Sequence, residues 1–162
     1  MNHKTKILAL AAAVSLFGVQ SAAHAATASA SAAANILSPI TVTKTSDLDF
    51  GKIVAGASAS TVTLTSAGAL TCGSGLTCSG THNAAAFNVA GSTGEIVTVA
   101  SDASVTLISG ANSMTASLAP SAASLTLAGG AASFNVGGVL SVGASQAAGA
   151  YTGTFNVTVN YQ

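Results

Sequence analysis

The fold is decided by residues 150–162, which read AYTGTFNVTVNYQ at the C-terminal end of the sequence. From Tyr151 to Tyr161 every odd position except Gly153 is apolar, and every even position between them is threonine or asparagine. Successive side chains of a strand point to opposite faces of a sheet, so this alternation predicts a β-strand with one apolar and one polar face. The apolar face needs a second layer to cover it, which predicts a layered β-protein.

Shorter stretches of the chain repeat this alternation. The clearest is residues 60–66, STVTLTS, in which a threonine separates Val62 from Leu64. Glycines and Pro120 divide the candidate strands at the spacing of roughly 8–12 residues that is typical of sandwiches and barrels. The sequence therefore predicts an all-β fold, an antiparallel β-sandwich of about 8–10 short strands.

Two positions along the chain predict interruptions of this strand pattern. Polar residues 44–48 predict a turn, and Gly137 and Gly138 predict a bend or a change of sheet within a strand. The further candidate strands are residues 26–42, 48–54, 86–90, 96–100, 104–109, 113–119, 124–128 and 133–142.

The N-terminus has the pattern of a cleaved export signal. Lys4 and Lys6 precede an uncharged, apolar stretch at residues 7–19, and the A-H-A that ends at Ala25 fits the small-x-small cleavage rule. The apolar stretch is shorter than the ~20 residues that a membrane-spanning helix needs. We expect cleavage of residues 1–25 before Ala26, export through the periplasm to the cell surface or beyond, and no integral membrane segment after processing. An uncleaved membrane anchor is the alternative.

The chain after the signal divides into a short extension and one domain. Residues 26–35 are rich in alanine and serine and predict an N-terminal extension or a donor strand, with a low-complexity tail as the alternative. Residues 36–162 have the length of one β-sandwich domain. This part carries two lysines against four acidic residues, which argues against nucleic acid and anionic lipid as partners.

Cys72 and Cys78 are the two cysteines of the chain, with five residues between them. An even cysteine pair in an exported protein predicts a disulfide, which we expect to hold the tip of a hairpin. Together with His82 the cysteines offer three metal ligands. The spacing lacks the two-residue gap of zinc sites and a fourth ligand is missing, so the disulfide is preferred over a metal site.

His82 is the one histidine after position 25, so a Ser–His–Asp triad would have to use it with Asp47, Asp49 or Asp102. The sequence contains no G-x-S-x-G nucleophile motif. Asp47 and Asp49 supply too few oxygens for a calcium site. We therefore expect no enzymatic activity, no catalytic residues, no metal and no cofactor, with His82 exposed in a loop.

Three stretches of the chain resemble one bacterial family. They are TASASAAANILSPITVTKTSDLDFGKIVAG at residues 27–56, CGSGLTCSGTHNAAAFNVAG at 72–91 and FNVGGVLSVGASQAAGAYTGTFNVTVNY at 134–161. They are similar to a secreted family known as domain of unknown function 4402, over essentially the whole chain after the signal.

A more distant resemblance concerns assembly. The L-D-F-G at residues 48–51 and the AGxYxGxFxVTVxY ending resemble spore-coat-protein-U-like subunits and archaic chaperone–usher pilins. The resemblance implies an immunoglobulin-like sandwich that lends an N-terminal strand to a neighbour, with a periplasmic chaperone and an outer-membrane usher as partners. Residues 26–34 depart from the pattern, because they offer alanine where such strands carry bulky apolar residues.

These observations lead to an expected function. We expect a non-enzymatic structural subunit of a cell-surface fibre or coat, which binds other copies of itself or related subunits by β-strand addition. A monomeric surface-binding module or adhesin for glycan is the alternative. The candidate assembly residues are Ala28, Ala30, Ala32, Ala34 and Ile36 of the N-terminal segment and Tyr151, Phe155, Val157, Val159 and Tyr161 of the terminal strand.

Overall fold

The computed structural model describes residues 25–162, so the predicted signal peptide lies outside the described residues apart from Ala25. The chain forms two units that divide after Ala34. Residues 25–34 form no strand and their side chains are exposed. Residues 35–162 form the second unit, which contains every strand described below.

The second unit contains twelve strands and one short 3-10 turn, at Ala128–Gly130. Residues 25–162 include no α-helix, and no helix there is long and apolar enough to cross a membrane. The strands are β1 (Thr41–Ser46), β2 (Lys52–Val54), β3 (Ser60–Leu64), β4 (Leu70–Cys72), β5 (Thr77–Ser79), β6 (Ala85–Ala90), β7 (Ile96–Ser101), β8 (Ser104–Ser109), β9 (Asn112–Pro120), β10 (Ser124–Thr126), β11 (Ala131–Val142) and β12 (Val157–Tyr161).

The strands form antiparallel sheets that pack in layers. In the large sheet β11 is central. One of its edges pairs with β6 and then with β3, and these strands pair in turn with β1 and β4. Its opposite edge pairs with β9, which pairs with β8. A three-stranded sheet has the order β10-β7-β12, and β2 pairs with β5. Side chains of β6 and β11 bury against those of β7 and β12. The predicted antiparallel all-β sandwich is confirmed, with more strands than expected because the region around the cysteines contributes two strands of three residues each.

Strand β11 joins the two halves of the large sheet. One of its edges pairs with β9. Its other edge pairs with β6 up to Val136 and with β3 from Gly138. The two glycines therefore mark a change of partner inside a continuous strand, as the sequence predicted. A Cβ atom on Gly137 would lie 2.5 Å from the carbonyl oxygen of Leu64, so only glycine allows the chains to approach this closely.

Each half of β11 supports its own hydrophobic core. In the first core the rings of Phe87 and Phe134 stack with centroids 5.2 Å apart. The other buried members of the first core are Ala85, Val89, Val97, Val99, Leu127, Val136 and Val159. The second core contains Phe50, Val62, Leu64, Val105, Ala116, Leu140 and Val142.

The expectation for the start of the domain was wrong. The predicted turn at residues 44–48 is largely strand, because β1 pairs with β6 from Thr41 to Ser46. The predicted strand at residues 26–42 forms only in its last two residues. Alanine side chains bury little apolar surface, so residues 26–34 gain little free energy from pairing within their own chain. The β6 backbone, in contrast, supplies hydrogen-bond partners for the polar TVTKTS segment.

The terminal strand is shorter than predicted. Strand β12 begins at Val157, and an isolated pair between Thr152 and Ile108 of β8 precedes it. The chain crosses from β8 in the large sheet to β7 in the small one, which leaves the residues between these pairings without a partner strand. The backbone N–H of Asn156 donates instead to the Asp102 carboxylate, at 2.8 Å.

The predicted disulfide between Cys72 and Cys78 is confirmed, with Cα atoms 5.9 Å apart. Its expected place at a hairpin tip was wrong. Cys72 ends β4, which pairs with β3, whereas Cys78 lies in β5, which pairs with β2. The disulfide therefore joins the large sheet to the two-stranded sheet.

The close approach at β11 gives a test of this fold. Gly137→Ala should lower the free energy of unfolding by about 3 kcal/mol, because the new methyl group overlaps the β3 backbone. Gly110→Ala is the control, since Gly110 has φ +59° and no atom within 4 Å of an added Cβ; we expect a loss of about 1 kcal/mol. Urea unfolding measures both, and equal losses would contradict the partner change at Gly137.

Candidate assembly cleft

No hydrogen bond joins His82 to Asp47, Asp49 or Asp102 in the described part of the chain. The His82 Nδ1 lies 3.4 Å from the carbonyl oxygen of Gly80. Asp47 pairs with Lys44, Asp49 accepts a hydrogen bond from the Gly51 N–H, and Asp102 accepts one from Asn156. Over residues 25–162, no group of three histidine, cysteine or acidic side chains is placed to hold a metal ion.

At one edge of the sandwich the large sheet extends beyond the small sheet. Val42 and Lys44 of β1 lie directly opposite Val89 and Phe87 of β6, so all four side chains share the core-facing side of the large sheet. Val89 and Phe87 are buried, but Val42 is 38% exposed and the Lys44 side chain is 56% exposed. The core-facing side of β1 is therefore open to solvent.

The facing edge across this opening belongs to the C-terminal segment. The residues before β1 approach Tyr161, and the residues after β1 face residues 151–155 across a cavity of about 320 Å³. The two segments therefore run antiparallel. Strand β1 pairs with β6 and β12 pairs with β7, and no backbone hydrogen bond joins β1 to β12 within the described part of the chain. We call this gap, between residues 41–50 and residues 151–161, the strand cleft.

The floor of the strand cleft is apolar and its rim carries one ion pair. The floor is formed by Ala85, Phe87, Val105 and Leu107, where the two cores meet. At the rim, Lys44 and Asp47 form an exposed salt bridge. Because these opposite charges offset each other, the cleft presents unpaired strand edges and apolar surface rather than a net charge.

Tyr161 fixes one end of the strand cleft. Its hydroxyl accepts a hydrogen bond from the Ser92 N–H and donates one to the Ser38 carbonyl oxygen, both at 2.7 Å. The Ser38 N–H in turn donates to the Ser92 Oγ at 2.7 Å. These bonds tie the end of β12 to the residues before β1. Tyr161 stands out in the sequence through its place in the apolar alternation, but nothing local to the chain indicates these partners.

The structure separates the candidate assembly residues into two groups. In the N-terminal group Ile36 is 93% exposed, and none of its members lies in a strand; they are Ala28, Ala30, Ala32, Ala34 and Ile36. The other group packs against the first core or lies beside it at intermediate exposure; it comprises Tyr151, Phe155, Val157, Val159 and Tyr161. The terminal strand is therefore part of its own sandwich, and its use in completing a neighbour's sheet stays a prediction.

Removing the Tyr161 hydroxyl tests this closure. Tyr161→Phe should lower the free energy of unfolding by about 1–2 kcal/mol, because the Ser92 N–H and the Ser38 carbonyl lose their partner. Thr158→Ala, at an exposed position of the same strand, is the control and should change it by less than about 0.5 kcal/mol. Chemical unfolding measures both variants. A Tyr161→Phe protein as stable as the control would show that the hydroxyl does not hold this end.

The family match lies within the second unit of the chain and does not include residues 25–34. No curated protein matches the sequence. The family described as domain of unknown function (DUF4402) matches residues 40–161. This match begins directly before β1 and ends at the last residue of β12, so it includes both cores and both edges of the strand cleft. The chain belongs to the DUF4402 family.

Proposed function

We propose that this protein is an exported, non-enzymatic structural subunit of a cell-surface fibre or coat. Copies assemble when residues 26–36 of one molecule enter the strand cleft of the next and pair with its edges. The observation that carries this proposal is the opening between β1 and β12, where two facing strand edges have no partner among residues 25–162 and the core-facing Val42 is 38% exposed.

An added strand would supply backbone hydrogen-bond partners to both edges. The edge of a sheet carries unpaired N–H and C=O groups, and an extended peptide can satisfy them while its alternate side chains enter the gap. Such a strand would cover Val42 of β1 and the half-buried Phe155 and Val157. It would therefore complete the second layer of the sandwich opposite β1.

The N-terminal segment suits the role of the added strand. Residues 25–36 form no strand and are exposed, and every second residue from Ala28 to Ile36 is apolar. Eleven extended residues span roughly 36 Å, which is longer than β1 or β12. No side chain of the segment carries a charge, so burial of these side chains requires no counter-ion.

The small alanine side chains also suit the size of the cleft. Phe87 and Val105 rise from the floor and leave about 320 Å³ between the edges. A strand with bulky apolar residues would overfill such a space, whereas alanines keep the backbone close to both edges. Ile36 then supplies the one large apolar anchor of the segment.

Export and a distant resemblance support the same proposal. The N-terminal signal pattern directs the chain through the periplasm, where a chaperone would cover the cleft before an outer-membrane usher delivers the subunit. The pilin-like ending, AGxYxGxFxVTVxY, contributes one edge of the cleft.

An unboiled denaturing gel of the protein from Ala26 onwards tests the assembly. A donated strand dissociates very slowly, so we expect a ladder of multimers that collapses on boiling. Deleting residues 26–36, or the change Ile36→Asp, should leave one monomer band. Ile108→Asp is the matched control, because Ile108 is 54% exposed on β8 outside the strand cleft, and it should keep the ladder.

Mixing two defective variants separates donor from acceptor. The 26–36 deletion keeps the cleft, whereas Val42→Asp keeps the N-terminal segment and places a charge in the cleft. Neither should form a ladder alone, and together they should form a heterodimer without longer species. A ladder from the deletion variant, or no heterodimer from the mixture, would contradict strand donation and favour the monomeric surface-binding module.

A further inference from the structure

We propose that the cavity beside the second core is a binding site for a neutral, apolar small molecule. The cavity measures about 730 Å³. Its floor comes from three strands of the large sheet and consists of Leu107, Met114, Leu140 and Val142. The cavity adjoins the strand cleft and shares Leu48, Phe50, Leu107 and Tyr151 with its lining. Its floor extends to Met114 and Val142, which do not line the strand cleft, so the inference goes beyond subunit assembly.

Two chain segments form the walls of the cavity. One wall is residues 48–57, which include β2, and the other is residues 145–151, between β11 and β12. The Ser145 N–H donates to the Gly56 carbonyl oxygen at 2.8 Å and so joins the walls at one end. The volume lies within the ~300–1,000 Å³ of ligand sites, and an alanine-rich strand lacks the side-chain volume to occupy it.

Hydrogen bonds fix the conformation of the second wall and join it to β9. The Tyr151 hydroxyl donates to the Ala147 carbonyl oxygen and accepts from the Gln146 Nε2, both at 2.8 Å. The Gln146 Nε2 also lies 3.4 Å from the carbonyl oxygen of Ser113 in β9. Between these anchors residues 147–150 are alanine or glycine, so no large side chain of this wall fills the cavity.

The charges around the cavity select the class of ligand. Asp49 is the one charged side chain in the lining, and its Oδ1 accepts a hydrogen bond from the Gly51 N–H at 2.8 Å. No cationic side chain lines the cavity, so an anionic ligand would lose its hydration without gaining a counter-ion and would be repelled by Asp49. The Tyr151 hydroxyl hydrogen and the Gln146 amide hydrogens already bond Ala147, Tyr151 and Ser113, so the Gln146 Oε1 is the acceptor that can bind one hydroxyl or N–H group of a ligand. The lining therefore fits an apolar molecule with at most one neutral polar group.

Two fluorescent probes that differ by one charged group test this inference. N-phenyl-1-naphthylamine is neutral, and 1-anilinonaphthalene-8-sulfonate carries the same two aromatic groups with an added sulfonate. Titration of the variant that lacks residues 26–36 keeps strand donation out of the measurement. We expect saturable binding of the neutral probe at one site, and affinity at least tenfold weaker for the sulfonate. Equal affinity for both probes, or no saturation, would contradict the proposal.

Substitutions locate the bound probe. Met114→Trp fills the cavity and should weaken binding of the neutral probe at least tenfold, whereas Ile108→Trp, on the exposed face of β8, should change it less than twofold. If Met114→Trp fails to fold, Met114→Phe replaces it with a smaller expected loss. Binding that survives both Met114 variants would overturn the assignment.

A competition experiment distinguishes this cavity from the strand cleft. A synthetic peptide of residues 26–36 should leave the bound probe in place. Displacement of the probe by the peptide would assign the cavity to strand addition and contradict a separate small-molecule site. Probe binding without any multimer formation would leave this proposal standing while the proposed assembly fails.

Discussion

The structure depends on the exchange of pairing partners along one edge of β11. At Gly137 and Gly138 this edge passes from β6 to β3, while β9 continues along the other edge. The exchange requires two glycines, because a Cβ at either position would lie 2.5 Å from a carbonyl oxygen of a neighbouring strand. One strand thereby supports two hydrophobic cores, and the β6–β1 and β3–β4 pairs lie side by side along it.

The open edge of the sandwich follows from this arrangement. Strand β1 extends the large sheet beyond β6, but the small sheet ends at β12 and does not cover it. The C-terminal segment contributes to both sheets, through Thr152 beside β8 and through β12 beside β7, and within residues 25–162 no backbone hydrogen bond joins it to β1. Tyr161 closes one end of the gap by hydrogen bonds, which leaves a cleft with two unpaired edges and an apolar floor.

The alternation of apolar and polar residues predicted the strands that have one buried and one exposed face. The alternation in β6, β7, β8 and β9 gave their bounds to within one or two residues, because each strand has one buried and one exposed face. The pairing of Cys72 with Cys78 was also predictable, since the chain has two cysteines.

Features that depend on distant partners could not be predicted in this way. Strand β1 has the polar sequence TVTKTS and forms because β6 offers it an edge. The strand cleft results from unequal numbers of strands in two layers, which no single stretch of sequence encodes. The hydrogen bonds of Tyr161 join residues 69 and 123 positions apart, and the cavity beside the second core combines segments from residue 48 to residue 151.

Backbone amide hydrogen exchange, compared between monomer and multimer, tests the central claim most directly. The account predicts that assembly protects the amides of residues 26–36 together with those on the facing edges of β1 and β12. The amides of β4 and β10, at other edges of the sheets, should exchange at the same rate in both forms. Multimers in which residues 26–36 still exchange freely, with new protection at β4 or β10, would contradict the account.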